Sequence, residues 1–351
     1  MRITDLFSKG QTSSSEVRVV VVSIFFAAIL LFVIELVLRS SLLWKLSPAL
    51  LVSNSKDDWA AVSHKIVNID PGNGIYPIVM LGGSSARELI TDNPKLDREL
   101  FTAIQRETEF TNLASSSQSI AETLVLADQL KATDEGSAIL GVNPYLFLKG
   151  MDDIKQAQEG FRFPFSSPSL DGFFDDSGIQ RCFFCALHVH RYRDVIANWF
   201  SRRAESKDYF DLIDYAQHYY DSSEPLTDRR LKRLEREIRE KYLKHYESNA
   251  AINDVLMERV ISVLAGKGYR VSLINVPRNP DSELNLSTVI GKYRQILGEL
   301  QQSSDIHFWD AHKELVLGGD SFYDHIHLTQ GGREQFRRTL LSEKINDLTG
   351  L

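Results

Sequence analysis

At 351 residues the chain has room for one large domain or two small ones, and an apolar content of 43% can fill a sizeable core. A net charge of −7, with no basic stripe interleaved with aromatics, argues against nucleic acid as a partner.

Residues 1–16 are polar and read as a tail. From Val19 to Leu38 the chain runs VVVVSIFFAAILLFVIELVL, apolar except for Ser23 and Glu35. As a helix rising 1.5 Å per residue it is about 30 Å long, the thickness of a bilayer core. The following RSSLLWKLSPALL offers no Ala-x-Ala cleavage site, so a single-pass anchor over 17–38 is expected rather than a signal peptide. Few soluble helices are apolar on every face, which disfavours a buried helix. Arg2, Lys9 and Arg18 precede the span, while Arg39, Lys45 and Lys56 follow it, so charge hardly orients it. A short tail before the span and a large domain after it predict an N-in, C-out arrangement with the domain extracytoplasmic. Residues 39–70 read as a juxtamembrane linker with Trp44 and Lys45 at the interface.

The turn DPGNG opens a domain expected over 71–351. Strands are predicted at 76–81, 109–114, 137–142, 269–276 and 305–310, and helices at 96–107, 119–130, 252–266, 286–302 and 332–345. Alternation of this kind implies a parallel sheet between helices, with ligands outside the carboxyl ends of the strands. The distance from the third strand to the fourth is too long for one crossover, so about 150–250 is expected as a helical insertion. Within it, LTDRRLKRLEREIREKYLKHYE predicts a solvated helix with i,i+4 pairs such as Glu235 with Arg239. That helix reads as a cap of the domain, or as a lid or partner-docking helix. RCFFCALHVH places Cys182 and Cys185 near His188 and His190. A small-loop disulfide, a local metal site and a redox pair are all open to this spacing, although zinc sites usually separate their ligand pairs further.

Nucleophilic acyl transfer needs a hydroxyl, a base, a group that orients the base, and oxyanion donors. The strand ends supply each. After the first strand comes GGSS, with Ser84 as the nucleophile by its spacing from the strand and Ser85 as the alternative. NLASSSQS follows the second strand, with Asn112 hydrogen-bonding backbone turns and Ser117 in a small-residue turn. GVNP follows the third strand and brings Asn143, a side-chain N–H donor. Near the end, in FYDHIHLTQGG, Asp324 and His327 stand three residues apart before a helix. There Asp324 can fix the tautomer of His327. Arg87 and Arg278 read as surface residues or as contacts to an anionic substrate, and His325 as a structural residue facing away.

The order and placement of LGGS, NLASSSQS, GVNP and DHIHL resemble the blocks of the SGNH (GDSL-like) hydrolase superfamily. The resemblance covers roughly residues 76–345 apart from the insertion. It implies a flavodoxin-like, five-stranded parallel sheet between helices, a catalytic triad of Ser84, His327 and Asp324, and an oxyanion hole of Ser84, Ser117 and Asn143. No metal or organic cofactor is implied. Three positions depart from the pattern: Gly83 stands for Asp, Ser117 for glycine, and Pro144 for Asp. With the anchor, these departures resemble the divergent branch that includes the alginate O-acetylation proteins and the D-alanyl-lipoteichoic acid protein. That branch implies ester hydrolysis or acyl transfer on an envelope glycan or lipid, with a multi-spanning acyltransferase as partner. The same departures also fit a catalytically degenerate domain that binds glycan or scaffolds such a partner.

Overall fold

Five apolar runs become one sheet. In the computed structural model β1 (Tyr76–Gly82), β2 (Thr108–Asn112), β3 (Gly136–Val142), β4 (Tyr269–Asn275) and β5 (His307–Trp309) pair in parallel, in the order β2-β1-β3-β4-β5. This is the doubly wound, flavodoxin-like order. Residues 14–40, 42–46, 58–90, 94–193, 195–196, 225–283, 287–303 and 306–351 are described. The expected tail up to residue 13, the linker over 47–57 and residues 197–224 of the insertion lie outside the described residues.

The helices, in chain order, are α1 (Ser14–Arg39), α2 (Leu42–Leu46), α3 (Asp58–Asn68), α4 (Ser84–Leu89), α5 (Pro94–Ile104), α6 (Ile120–Gln129), α7 (Met151–Glu159), α8 (Pro168–Asp176), α9 (His188–Arg191), α10 (Asp228–Tyr242), α11 (Tyr246–Gly266), α12 (Ser287–Ser303) and α13 (Gln330–Thr339). Further short helical segments lie between some of them and after α13. Successive side chains of a strand point to opposite faces. Ile78 and Met80 of β1 therefore pack with Leu89, Leu100 and Phe336 from α4, α5 and α13. Val79 and Leu81 pack on the other face with Leu124, Met257 and Ile296 from α6, α11 and α12. Burial on both faces explains why the inner strands read as unbroken apolar runs.

The strand β2 stops at Asn112, two residues earlier than the sequence pattern suggests. The Asn112 Oδ1 accepts from the Ala114 N–H at 3.0 Å, which turns the chain away from the ladder. Helix α11 starts six residues earlier than expected. Its Asn249 and Asn253 side chains donate to the Leu148 and Lys149 carbonyls, tying its first turns to the end of the 3-10 turn that follows β3. In α10, Ile238 is buried and Leu234 half-buried, so the apolar edge faces the core.

From Val17 to Arg39 helix α1 is long and apolar enough to cross a membrane, and its apolar surface is uncovered up to its last turns. There Leu38 is buried against the domain, and the Glu35 carboxylate accepts from the backbone N–H groups of His188 and Val189, each at 3.0 Å. Trp44 corrects an expectation. It does not lie at a membrane interface but is fully buried among Trp59, Phe165 and Tyr192. Its indole N–H needs a partner once buried, and donates to the Tyr192 hydroxyl at 2.8 Å.

Candidate active site

Two glycines and an alanine place the first serines. Gly82 has φ +144°, and a Cβ there would meet the Gly141 carbonyl oxygen at 2.6 Å and the Ala86 Cβ at 2.8 Å. A Cβ on Gly141 would itself meet the Ala86 Cβ at 2.5 Å. Neighbouring strands β1 and β3 are thus bare where α4 lies on them, and Ala86 fills the gap. Asn112 holds the same helix from β2, its Nδ2 donating to the carbonyls of Arg87 at 2.9 Å and Ile90 at 2.7 Å. Asn112 therefore serves backbone turns, as its position suggests.

With α4 so fixed, Ser84 and Ser85 point to different partners. Ser84 is partly exposed and its Oγ lies 2.8 Å from His327 Nε2. Ser85 is buried and accepts at its Oγ from Asn143 Nδ2 at 2.7 Å. The amide orientation of Asn143 is fixed by its other atom, since Oδ1 accepts from the Tyr145 and Leu146 N–H groups. One of the two Asn143 side-chain N–H groups is thus committed to Ser85.

Asp324 and His327 sit in a tight turn. Asp324 Oδ1 accepts from the N–H groups of Ile326 and His327, both at 2.9 Å, and Oδ2 lies 2.8 Å from His327 Nδ1. Above its pKa a carboxylate only accepts, so Nδ1 carries a proton and, in the neutral imidazole, Nε2 is left to accept from Ser84. The Tyr323 N–H donates to the His327 carbonyl at 2.7 Å, and Phe322 bridges Leu328, which closes the turn. Asn279, beyond β4, staples it to the sheet: its Nδ2 donates to the Asp324 carbonyl at 3.1 Å and its N–H to the His325 carbonyl at 3.0 Å.

Electrostatics follow from burial and pairing. Burial works against the charged imidazole of His327, yet Asp324 outweighs it and raises the histidine pKa above 6.5. For Asp324 burial also favours the neutral form, but His327 and the backbone donors hold it well below the usual carboxylate range. His325 does not face away. It is buried, with its ring 4.5 Å from that of Tyr145, and burial pushes its pKa down to about 4 against the pull of Asp324.

Glu88, which was not singled out in the sequence, lies near His327. Glu88 is buried, and burial raises its pKa despite His327 and Arg87 nearby. Positions 84, 87 and 88 share one helix face, so spacing alone brings Glu88 toward His327. Arg87 is not a surface residue. It donates to Asp58 Oδ2 and Ser116 Oγ, each at 2.5 Å, and to Glu88 at 2.7 Å. Arg278 is likewise buried, donating to Asn275 Oδ1 at 2.8 Å.

Ser117 lies in the turn between β2 and α6, which is pinned to β1 by a Ser115 N–H to Gly82 carbonyl bond of 3.2 Å. Its φ of +55° is the left-handed conformation that favours glycine. A serine there keeps the backbone N–H and adds a side chain that borders a polar cleft of about 330 Å³. Asp58, Glu122, Lys149 and Arg162 line the same cleft. Gly83 is extended, at φ −81° and ψ −169°, and a Cβ there would meet nothing nearer than Leu146 Cδ1 at 3.6 Å. Pro144 opens a 3-10 turn capped by Asn143.

The two cysteines are joined, with Cα atoms 5.3 Å apart. His190 is the third residue of a group whose ligand atoms lie within 4.8 Å of one another. Thiolates are the metal-binding form of cysteine, so that group offers a metal only His190 while the disulfide persists.

A model of a family of unknown function matches residues 202–349, which include Asp324 and His327 but not Ser84. No curated protein sequence matches the chain. Among solved structures the chain is similar to the lipase Lip_vut3 from a goat rumen metagenome, at 13% identity and a TM-score of 0.34, over 78% of this chain and 97% of that one.

Proposed function

We propose that this protein is a membrane-anchored serine esterase or O-acyltransferase of the SGNH type, working on an ester of a cell-envelope glycan or lipid outside the cytoplasm. The observation that carries the reading is the unbroken chain from Ser84 Oγ through His327 to Asp324, with both links at 2.8 Å. A hydroxyl, an imidazole and a carboxylate in that order form the apparatus of nucleophilic acyl transfer.

In this mechanism Ser84 Oγ attacks the ester carbonyl while His327 Nε2 takes its proton. Asp324 stabilises the imidazolium so formed. The N–H of Ser84 opens a helix and has no partner within it, so it is available to the oxyanion along with the Ser117 N–H. Asn143 joins them through the side-chain hydrogen not spent on Ser85. Collapse of the tetrahedral intermediate breaks the ester C–O bond, and His327 returns its proton to the leaving oxygen. Water or a glycan hydroxyl then attacks the acyl-Ser84 ester with His327 again as base. The anchor keeps this chemistry at the bilayer, beside any multi-spanning acyl donor. A disulfide is at home in an oxidising compartment, which supports an extracytoplasmic domain.

The left-handed Ser117 and the engagement of Asn143 with Ser85 favour a second reading, a degenerate domain that only binds glycan or scaffolds a membrane acyltransferase. A fluorophosphonate probe separates the two. Labelling located at Ser84 by peptide mass, lost in Ser84→Ala and His327→Ala and kept in Ser85→Ala, is expected of the enzyme. Folded protein that takes up no probe belongs to the second reading.

A further inference from the structure

Outside α1, the most exposed aromatic side chain among the described residues is Phe183, at 84%, followed by Phe184 at 60%. Leu187, at 48%, extends the same patch. Three large apolar residues within five positions, all turned to solvent, are costly to leave in water. Their surroundings are built to hold them out. The disulfide of Cys182 and Cys185 closes a loop whose tip is the two phenylalanines, with rings 5.4 Å apart, edge to face. From the domain side Gln158 Oε1 accepts from the Cys182 N–H at 3.1 Å. The buried Arg191 donates to the Cys185 carbonyl at 2.6 Å and to the Phe165 carbonyl at 2.7 Å.

The position of the patch along α1 says what covers it. Directly after it comes α9, whose first N–H groups are held by Glu35 of α1, with His188 Nδ1 a further 3.1 Å contact. Glu35 lies four residues before Arg39, the end of the apolar run, which is about 6 Å along a helix. In a bilayer spanned by α1, that level is the boundary between headgroups and acyl chains. Aromatic residues favour this depth. Trp44, the residue at the right place in the sequence for such a role, is buried in the domain and unavailable.

We propose that the loop Cys182–Leu187 is a membrane seat: Phe183, Phe184 and Leu187 insert into the lipid interface of the leaflet at which α1 emerges. Together with Glu35 it makes two points of contact, one on the anchor and one beside it. Two points fix the tilt of the catalytic domain on the bilayer, where a single helix would leave it free to lean. The proposal rests on α1 being a transmembrane anchor.

The test uses full-length protein in nanodiscs of phosphatidylethanolamine and phosphatidylglycerol, with lipids brominated either near the headgroup or near the chain terminus. Three single variants report position by the tryptophan emission each adds over the parent: Phe183→Trp, Phe184→Trp and, within the anchor, Phe26→Trp. A seated loop gives blue-shifted added emission at 183 and 184, quenched more by shallow bromines than by deep ones, while 26 is quenched most by deep bromines. Quenching at 26 with none at 183 and 184 overturns the seat and leaves the anchor standing. No quenching at any of the three removes the anchor and the seat with it.

Discussion

Asp324→Asn exchanges a carboxylate oxygen for an amide and should stop the chemistry while keeping the turn. Two backbone N–H groups, those of Ile326 and His327, point at Oδ1 and demand an acceptor. The asparagine must therefore keep its oxygen there and present its NH2 to His327 Nδ1, 2.8 Å away in the parent. Donor then faces donor, unless the imidazole moves its proton from Nδ1 to Nε2. In that tautomer Nε2 can only donate to Ser84 and cannot take its proton. A triad carrying this change elsewhere loses about 10,000-fold in turnover, or about 5 kcal/mol of barrier. The same exchange should lower the pKa of His327, because burial, its largest influence, is then resisted mainly by Glu88. Both effects are read from the pH dependence of phosphonate labelling or of p-nitrophenyl acetate hydrolysis. A variant that labels within about 10-fold of the parent, with an unmoved acid limb, would refute the tautomer argument.

Under the proposed mechanism His327 takes the serine proton only when neutral, so hydrolysis should rise with pH through an acid limb lying above 6.5, the ordinary histidine value; a limb at or below that value contradicts the Asp324 pairing. Gly82→Ala should lower stability by roughly 2–5 kcal/mol, from overpacking against Gly141 and Ala86 together with a strained φ. Gly83→Ala, whose Cβ has room, should cost less than about 1 kcal/mol, and thermal unfolding of the two in detergent compares them directly. His325 stays neutral in the fold down to about 4, while in the unfolded chain it binds a proton near 6.5, so stability should fall as pH drops through that window. The loss approaches roughly 3 kcal/mol, and His325→Phe should flatten it in unfolding curves taken at pH 7 and pH 4.5.

Much of the fold was legible because its strands are buried on both faces. Ile78 to Leu81 and Ala138 to Val142 have no polar residue to spare, and Gly82 at the end of β1 marks where α4 must approach. The edge strand β5 gives way at Asp310, whose carbonyl accepts from the Lys313 and Glu314 N–H groups, and β2 yields to the side chain of Asn112, so both ends are decided by local hydrogen bonds. Within the site, Asp324 and His327 were readable from a spacing of three, a contact made inside one turn. What the sequence hides is pairing across distance. Nothing near Arg87 announces Asp58, which comes from a helix before the domain's first strand. Nor does anything near Trp44 announce Tyr192, 148 positions later. Long-range partners leave no periodicity, so Arg87 and Trp44 read as surface and interface residues until the fold brings their partners in.

Which of two adjacent serines meets the histidine is decided away from both. Consecutive residues at a helix start point about 100° apart, so α4 can offer His327 only one of them. Turning the helix by one residue would bring Ser85 round, but Ala86 would then leave the hollow between Gly82 and Gly141, and a larger side chain would have to enter it. Asn112 holds the far end of α4 by two carbonyls, and Asp58 holds Arg87 on the side facing the linker. The choice of Ser84 thus rests on small residues beneath the helix and on polar contacts behind it. Asn143 completes the selection by occupying the Ser85 hydroxyl. The departure at Gly83 matters little to this arrangement, because the backbone there is extended and the space beside it is open.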